Sequence, residues 1–324
     1  MILYTVIPCY NEEAVLAETA RRLKEKYYHL CTVGKISGES RILFVNDGSS
    51  DKTWQMIEDL HRSDAIYTGV SLSKNKGHQN ALLAGLMAAV DEADAIISMD
   101  ADLQDDINVI DAMIDKYVGG ADIVYGIRSD RKTDSAFKRT SAEAFYKIMN
   151  AMGAETVYNH ADFRLMSKRA VKALAEYKEV NLFLRGMVPM IGFKSDAVYY
   201  ERAKRFAGES KYPLKKMISF ALDGITSLST KPIRMITALG VGIFLLSFVM
   251  LIYTLIRFFM GETVSGWPSL IISVWAIGGL ILLSIGVVGE YIGKIYLETK
   301  SRPRYHIEHN LLYDDKDKTD SHDR

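Results

Sequence analysis

The sequence predicts an α/β domain on a mainly parallel sheet, followed by a pair of membrane-spanning helices. Short β-rich runs alternate with stretches of helical periodicity through the first two thirds of the chain. Each run is followed at once by a cluster of polar residues, and two long uncharged stretches occupy the C-terminal third.

The β-rich runs are Ile2 to Ile7, Arg41 to Val45, Tyr67 to Leu72, Ala95 to Met99 and Asp122 to Tyr125. Helical periodicity marks such intervening stretches as Glu12 to Tyr28 and Asn80 to Val90, and strands joined through helices pair in parallel. The clusters that follow are Pro8-Cys9-Tyr10-Asn11-Glu12-Glu13, Asn46-Asp47-Gly48-Ser49-Ser50-Asp51, Lys74-Asn75-Lys76-Gly77-His78, Asp100-Ala101-Asp102-Leu103-Gln104 and Arg128-Ser129-Asp130-Arg131. Parallel connection brings all five to one sheet edge, where open α/β sheets bind ligands, so a nucleotide-type pocket is expected there. No Gly-x-Gly-x-x-Gly and no Gly-x-x-x-x-Gly-Lys-Ser/Thr occurs, which argues against a dinucleotide or P-loop enzyme.

Met235 to Ile256 is a run of 22 uncharged residues. As a helix it is about 33 Å long, enough for a hydrocarbon core of roughly 30 Å. Gly266 to Gly289 adds 24 more, and Arg257 to Ser265 between them is too short to cross back, so a hairpin is expected. Lys215, Lys216, Lys231 and Arg234 precede the first span and Lys294, Lys300, Arg302 and Arg304 follow the second, which puts both termini in the cytoplasm. Trp267 and Tyr291 fall near the ends of the second span, where interfacial aromatics belong. Leu214, Met217, Ile218, Ala221, Ile225 and Leu228 form an amphipathic stripe, read as lying on the inner leaflet rather than docking on the soluble domain. The expected division is a cytoplasmic domain over 1–210, an interfacial helix over 211–231, two transmembrane helices over 232–293 and a cytoplasmic tail over 294–324 with a disordered end.

Forty basic and forty acidic residues give zero net charge, so no overall field favours nucleic acid. Cys9 and Cys31 are too few for a disulfide framework or thiolate metal site, which suits a reducing compartment, and Met1 to Pro8 does not read as a signal peptide.

Asp100 and Asp102 flank one alanine after a β-rich run, so both carboxylates can converge on a hard cation with Gln104 as a further oxygen donor. The competing reading is that they cap the next helix. Asp47 lies in a turn sequence, Asp51 is favoured as an N-cap, and His78 stands without a second histidine or cysteine to make a metal site. Arg128, Arg131, Lys138 and Arg139 form one basic set and Arg202, Lys204, Arg205 and Lys211 another, either a solvated face drawn to anionic lipid or a phosphate clamp. Asp162 and Arg164 read either as an ion pair or as site residues, and a position outside the regular elements favours the site.

Ile-Pro-Cys-Tyr-Asn-Glu-Glu, Val-Asn-Asp-Gly-Ser-Ser-Asp, Asp-Ala-Asp-Leu-Gln-Asp, Ala-Asp-Phe-Arg-Leu-Met and Arg-Phe-Ala-Gly-Glu-Ser-Lys-Tyr, in this order and ahead of two apolar spans, resemble family 2 glycosyltransferases. The resemblance is strongest to the bacterial polyisoprenyl-phosphate glycosyltransferases related to dolichol-phosphate mannose synthase. It implies a Rossmann-like nucleotide-diphospho-sugar transferase fold. It also implies Pro8, Tyr10, Glu12 and Asp47 at the nucleotide sugar, Asp100, Asp102 and Gln104 at Mg²⁺ or Mn²⁺ and the diphosphate, and Asp102 and Asp162 as catalytic, with Asp162 a base or an orienting carboxylate. Arg128, Arg139, Arg164, Arg205 and Lys211 would hold the acceptor phosphate. The implied reaction is inverting transfer of one sugar, glucose or N-acetylglucosamine, from UDP to undecaprenyl phosphate at the inner leaflet. Many relatives read Arg-Asn-Phe-Gly-Lys where this chain has Lys74-Asn75-Lys76-Gly77-His78, so the resemblance assigns that loop no nucleotide contact. Trp54, Trp267 and Trp275 do not stand in the Gln-x-x-Arg-Trp setting of processive relatives, which implies a single transfer. The same residues are compatible with a tethered nucleotide-sugar binding protein serving a flippase, or with a glycerolipid or protein acceptor, and homo-oligomerisation is left open.

Overall fold

The computed structural model describes residues 1–129, 160–201, 226, 229–260 and 266–312, and these form two compact units. One holds the N-terminal two thirds together with the segment after Ser301; the other holds the two long helices.

In the first unit β1 (Leu3–Cys9), β2 (Arg41–Asn46), β3 (Tyr67–Leu72), β4 (Ala95–Ser98) and β5 (Ile123–Arg128) fall on the predicted runs. Helices α1 (Leu16–Thr32), α2 (Thr53–Ser63), α3 (His78–Ala89) and α4 (Ile110–Val118) connect them. The strands read as apolar runs because both sheet faces are covered: every residue of β1 and β3 is buried. Leu16, Leu23 and Tyr27 of α1 with Ile110 and Met113 of α4 fill one face. Ala81 to Ala89 of α3 fill the other with Ala170, Val171 and Leu174 of α5 (Lys168–Ala175). Gly85 lets α3 lie close on the sheet, since a Cβ there would come within 2.3 Å of Val6 Cγ1.

With β6 (His160–Ser167), β7 (Ser195–Tyr200) and β8 (Ile307–Asn310), the strand order is β7-β5-β6-β4-β1-β2-β3-β8, with β3-β2-β1-β4 mutually parallel. The chain steps outward from β1 to β3 and returns to place β4 on the other side of β1, so a switch point opens between the carboxyl ends of β1 and β4.

Three strands go beyond the sequence reading. β6 (His160–Ser167) runs antiparallel between β4 and β5, which corrects the expectation that Asp162 and Arg164 lie outside regular structure. Being antiparallel, β6 begins where β4 ends, and this carries Asp162 to the switch-point edge. β7 (Ser195–Tyr200) pairs in parallel with β5. β8 (Ile307–Asn310) pairs antiparallel with β3, so the segment read as a tail is partly built into the domain. His309 stacks on Trp54 at a centroid distance of 5.8 Å, and Tyr305, Leu311 and Leu312 pack on the two core clusters. Truncation after Ser301 removes this cover and bares the edge of β3. It is expected to destabilise the domain by roughly 2–4 kcal/mol, seen as a lower urea midpoint; an unchanged midpoint would show the strand to be dispensable.

The second unit contains α7 (Lys231–Phe259) and α8 (Trp267–Lys300), each enclosing most or all of one predicted span. Helix α7 continues through Arg257, which corrects the expectation that this residue lies in the connecting loop. Tyr291 of α8 donates a 2.6 Å hydrogen bond to the Ser229 carbonyl just ahead of α7. Leu246, Val249, Leu282 and Leu283 are exposed on these helices. Among the described residues one segment, Ala276–Lys300, is long and apolar enough to cross a membrane, with a mean hydropathy of 1.8 in its most apolar window. The expected interfacial helix over 211–231 lies almost wholly outside the described residues.

Candidate functional site

The crevice at the carboxyl ends of β1, β2 and β4 is held by side chains that fasten its loops to one another. Asn11, in the left-handed region at φ 54°, accepts from the Ser50 N–H at 2.9 Å, and its own N–H donates to Ser49 Oγ at 3.0 Å. Asp51 accepts from the Thr53 N–H at 3.0 Å from one position ahead of Lys52, the N-cap of α2, which corrects its reading as the cap itself. Pro8 is buried in β1, whereas Tyr10 is exposed. The Glu12 N–H is bonded to Thr53 Oγ1 at 3.0 Å, so the first and second loops move together.

Asp47 is buried and accepts from the N–H groups of Lys76 at 2.7 Å and Gly77 at 2.9 Å, one on each oxygen. Burial nevertheless pushes its carboxyl above the ordinary value. Gly48 completes this join: at φ +63° it suits the turn, and a Cβ there would meet Asn75 N at 2.5 Å. Asp47 therefore joins its own loop to the Lys74–His78 loop.

Asp100 and Asp102 follow β4. Thr19 Oγ1 of α1 donates to the Ala101 carbonyl at 2.8 Å, and Asp102 Oδ1 accepts from the Gln104 N–H at 3.1 Å. Leu103 between them has φ 56°, a strained conformation for a branched side chain. Helix capping here falls to Asp106, which accepts from the Asn108 N–H at 2.9 Å, so the competing reading of Asp100 and Asp102 as caps is not needed. Asp100 keeps a third of its side chain exposed. Burial first, and then Asp105, Asp162 and Asp102, push its carboxyl above the ordinary value against the pull of His78.

Asp162 and Asp100 come together around His78, whose Nε2 lies 3.4 Å from Asp162 Oδ2 and 3.7 Å from Asp100 Oδ1. That nitrogen is buried and has no hydrogen-bond partner among the described residues. Asp162 is bracketed by arginines: Arg164 Nη2 donates to Oδ1 at 2.7 Å, while Arg185 gives Nε to Oδ1 at 3.2 Å and Nη2 to Oδ2 at 3.0 Å. Although burial works the other way, Arg185, His78 and Arg164 hold the Asp162 carboxyl well below the usual carboxylate range.

Arg164 is 1% exposed and its Nη1 donates to the Leu184 carbonyl at 3.3 Å, so the expectation that it holds an acceptor phosphate is corrected: it stands behind Asp162. Arg128 is partly exposed and pairs through Nη2 with the buried Asp105 at 3.0 Å; Asp105 also accepts from Tyr200 Oη at 2.5 Å. Arg139, Arg205 and Lys211, with Arg131, Lys138, Arg202 and Lys204, lie outside the described residues. Arg185, at the start of α6 (Leu184–Met190), is a site residue the sequence reading missed. It stands alone in Asn181-Leu182-Phe183-Leu184-Arg185-Gly186, and only folding brings it to a carboxylate 23 residues earlier.

The profile described as "Glycosyl transferase family 2" matches residues 4–175. The uncharacterized glycosyltransferase YkoT of Bacillus subtilis is 54% identical over 310 residues, 96% of this chain and 92% of that protein. Bactoprenol glucosyl transferase of Shigella phage SfX is 42% identical over 316 residues, 95% of this chain and 99% of that protein. Among solved structures, glucosyl-3-phosphoglycerate synthase from Mycobacterium tuberculosis, in complex with Mn²⁺, UDP and glucosyl-3-phosphoglycerate, is 15% identical over 70% of this chain and 78% of that one, with a TM-score of 0.43. So slight a likeness says nothing of this chain's ligands. With the profile covering more than half of the residues and relatives matching almost end to end, the chain belongs to glycosyl transferase family 2.

Proposed function

We propose that this glycosyltransferase moves glucose from UDP-glucose to a polyprenyl phosphate at the inner face of the cytoplasmic membrane. The observation that carries the reading is the meeting of Asp100, His78 and Asp162 at the β1–β4 switch point in a chain that also bears a long apolar helix. The 42% identity to proteins named bactoprenol glucosyl transferase favours glucose over N-acetylglucosamine and a lipid phosphate over other acceptors.

The acidic residues fit a divalent cation. Asp102 and Asp105 both contribute to raising the Asp100 carboxyl, a crowding of negative charge that a cation relieves. Among the described residues no three His, Cys, Asp or Glu side chains form a ligand group. Asp100, Asp102 and Gln104 would thus share the ion with water and the donor's diphosphate, a set that suits Mg²⁺ or Mn²⁺. When bound, the ion would neutralise charge growing on the departing diphosphate. An oxygen of the lipid phosphate attacks the anomeric carbon, the bond from that carbon to the UDP oxygen breaks, and the configuration inverts. A phosphate monoester has a second pKa of about 6, so the acceptor arrives largely ionised and needs little help from a base. Asp162, held ionised by two arginines, is suited to orienting its neighbours rather than taking a proton.

Chain connectivity supports two membrane crossings. β8 shares a sheet with β3, and α7 and α8 lie between them in sequence. An even number of crossings from Lys231 to Lys300 keeps β8 on the same side of a membrane as its partner strand, which a single crossing by α8 would not. Lys294, Lys300, Arg302 and Arg304 after the second span favour the cytoplasmic orientation.

The test is purified full-length protein with undecaprenyl phosphate, Mg²⁺ and radiolabelled UDP-glucose, UDP-N-acetylglucosamine, UDP-galactose or GDP-mannose in turn. Labelled lipid from UDP-glucose, lost on adding EDTA, is expected. Label in protein or diacylglycerol would replace the acceptor, and no product from any donor would favour a binding protein.

A further inference from the structure

Asp162 carries more positive charge than its own carboxylate calls for. Arg164, 1% exposed, already forms the buried pair with it, 2.7 Å away. Arg185 grips the same carboxylate with two nitrogens yet leaves 32% of its side chain exposed toward solvent. Its mounting is firm. The Leu184 N–H donates to Gln79 Oε1 of α3 at 2.8 Å, and the Leu184 carbonyl accepts from Arg164 at 3.3 Å, so the first turn of α6 is fixed to both α3 and β6. A divalent cation at the acidic pair would add positive charge to a crevice that already holds Arg128, Arg164 and Arg185, which favours an anion there.

We infer that Arg185 is a ligand of a substrate phosphate group, held in place by Asp162. The inference rests on the lipid-phosphate transfer proposed above for the same crevice. A guanidinium gripped by a carboxylate through one edge is pre-organised, so little freedom is lost when it meets a phosphate oxygen. The phosphate is either the acceptor monoester or the donor diphosphate, and kinetics separate the two.

Full-length Arg185→Gln and Arg185→Lys enzymes are assayed beside the unaltered chain, with KM measured separately for UDP-glucose and undecaprenyl phosphate. Arg185→Gln is expected to raise one of these KM values roughly ten- to a hundredfold, the size of a lost charge-assisted hydrogen bond. Arg185→Lys is expected to recover part of it, because charge returns without the planar fork. Melting temperatures are expected to stay close to that of the unaltered protein, since Arg164 still neutralises Asp162. A rise confined to the lipid assigns the acceptor phosphate; one confined to UDP-glucose assigns the diphosphate. Both KM values within about twofold of the original, or a loss accounted for by a lower melting temperature, would overturn the inference. Should the unaltered chain label no lipid, the acceptor reading fails instead. Calorimetric affinity for UDP then judges Arg185, and an unchanged value in Arg185→Gln overturns it.

Discussion

Asparagine at Asp102 is expected to lower kcat by about a thousandfold, nearly as far as alanine would, with little change in melting temperature. The amide keeps an oxygen that can accept from the Gln104 N–H, so the turn after β4 survives. Thr19 still holds the Ala101 carbonyl from α1. What disappears is one of the two charges that would neutralise a cation beside the departing diphosphate, and a neutral amide is a poor substitute for a carboxylate on a hard ion. A side chain that only shaped the loop would give the opposite pattern, tolerant of asparagine and damaged by alanine. Turnover of both variants, measured beside their thermal melts, separates the two.

Alanine at Asp162 is expected to affect activity and stability together. Arg164 is buried, and removal of its carboxylate partner leaves a guanidinium charge without compensation, a loss of about 3–5 kcal/mol. Arg185 loses its anchor and His78 a neighbouring carboxylate in the same step. The pH dependence follows from the direction of the shift. The Asp162 carboxyl is held well below its unfolded value, so its contribution to stability is complete above the ordinary carboxylate range and is lost as pH falls through the folded value. Urea midpoints from pH 5 to pH 8 should therefore show no change due to Asp162, while strong acid should narrow the gap between the unaltered chain and the alanine variant. An equally large gap in strong acid would contradict the ion-pair account.

The five parallel strands were legible because each is buried on both faces and ends in a polar cluster, a pattern periodicity can read. β6 was not. His160-Ala161-Asp162-Phe163-Arg164 alternates charge with apolar bulk, and nothing local reveals that Asp162 and Arg164 pair on one side of a strand that folding brings to a switch point. β8 was hidden for another reason: Ile307-Glu308-His309-Asn310 is polar and mostly exposed, and it becomes a strand only because β3 offers it an open edge. In the site, Asp100 and Asp102 could be read from spacing, whereas the inward turn of Asp47 depends on the Lys76 and Gly77 amides of the next loop. His78, without metal-site company in the sequence, gained its significance from two aspartates that folding brought to it. Arg185 had no motif at all.

Mn²⁺ binding followed by electron paramagnetic resonance, with and without UDP, on the unaltered chain and on a chain with alanine at both Asp100 and Asp102, tests the role of the acidic pair most directly. The expected result is one ion taken up per chain when UDP is present, and none in the double variant. Equal uptake by both chains, or full transfer activity after chelation, would contradict the account.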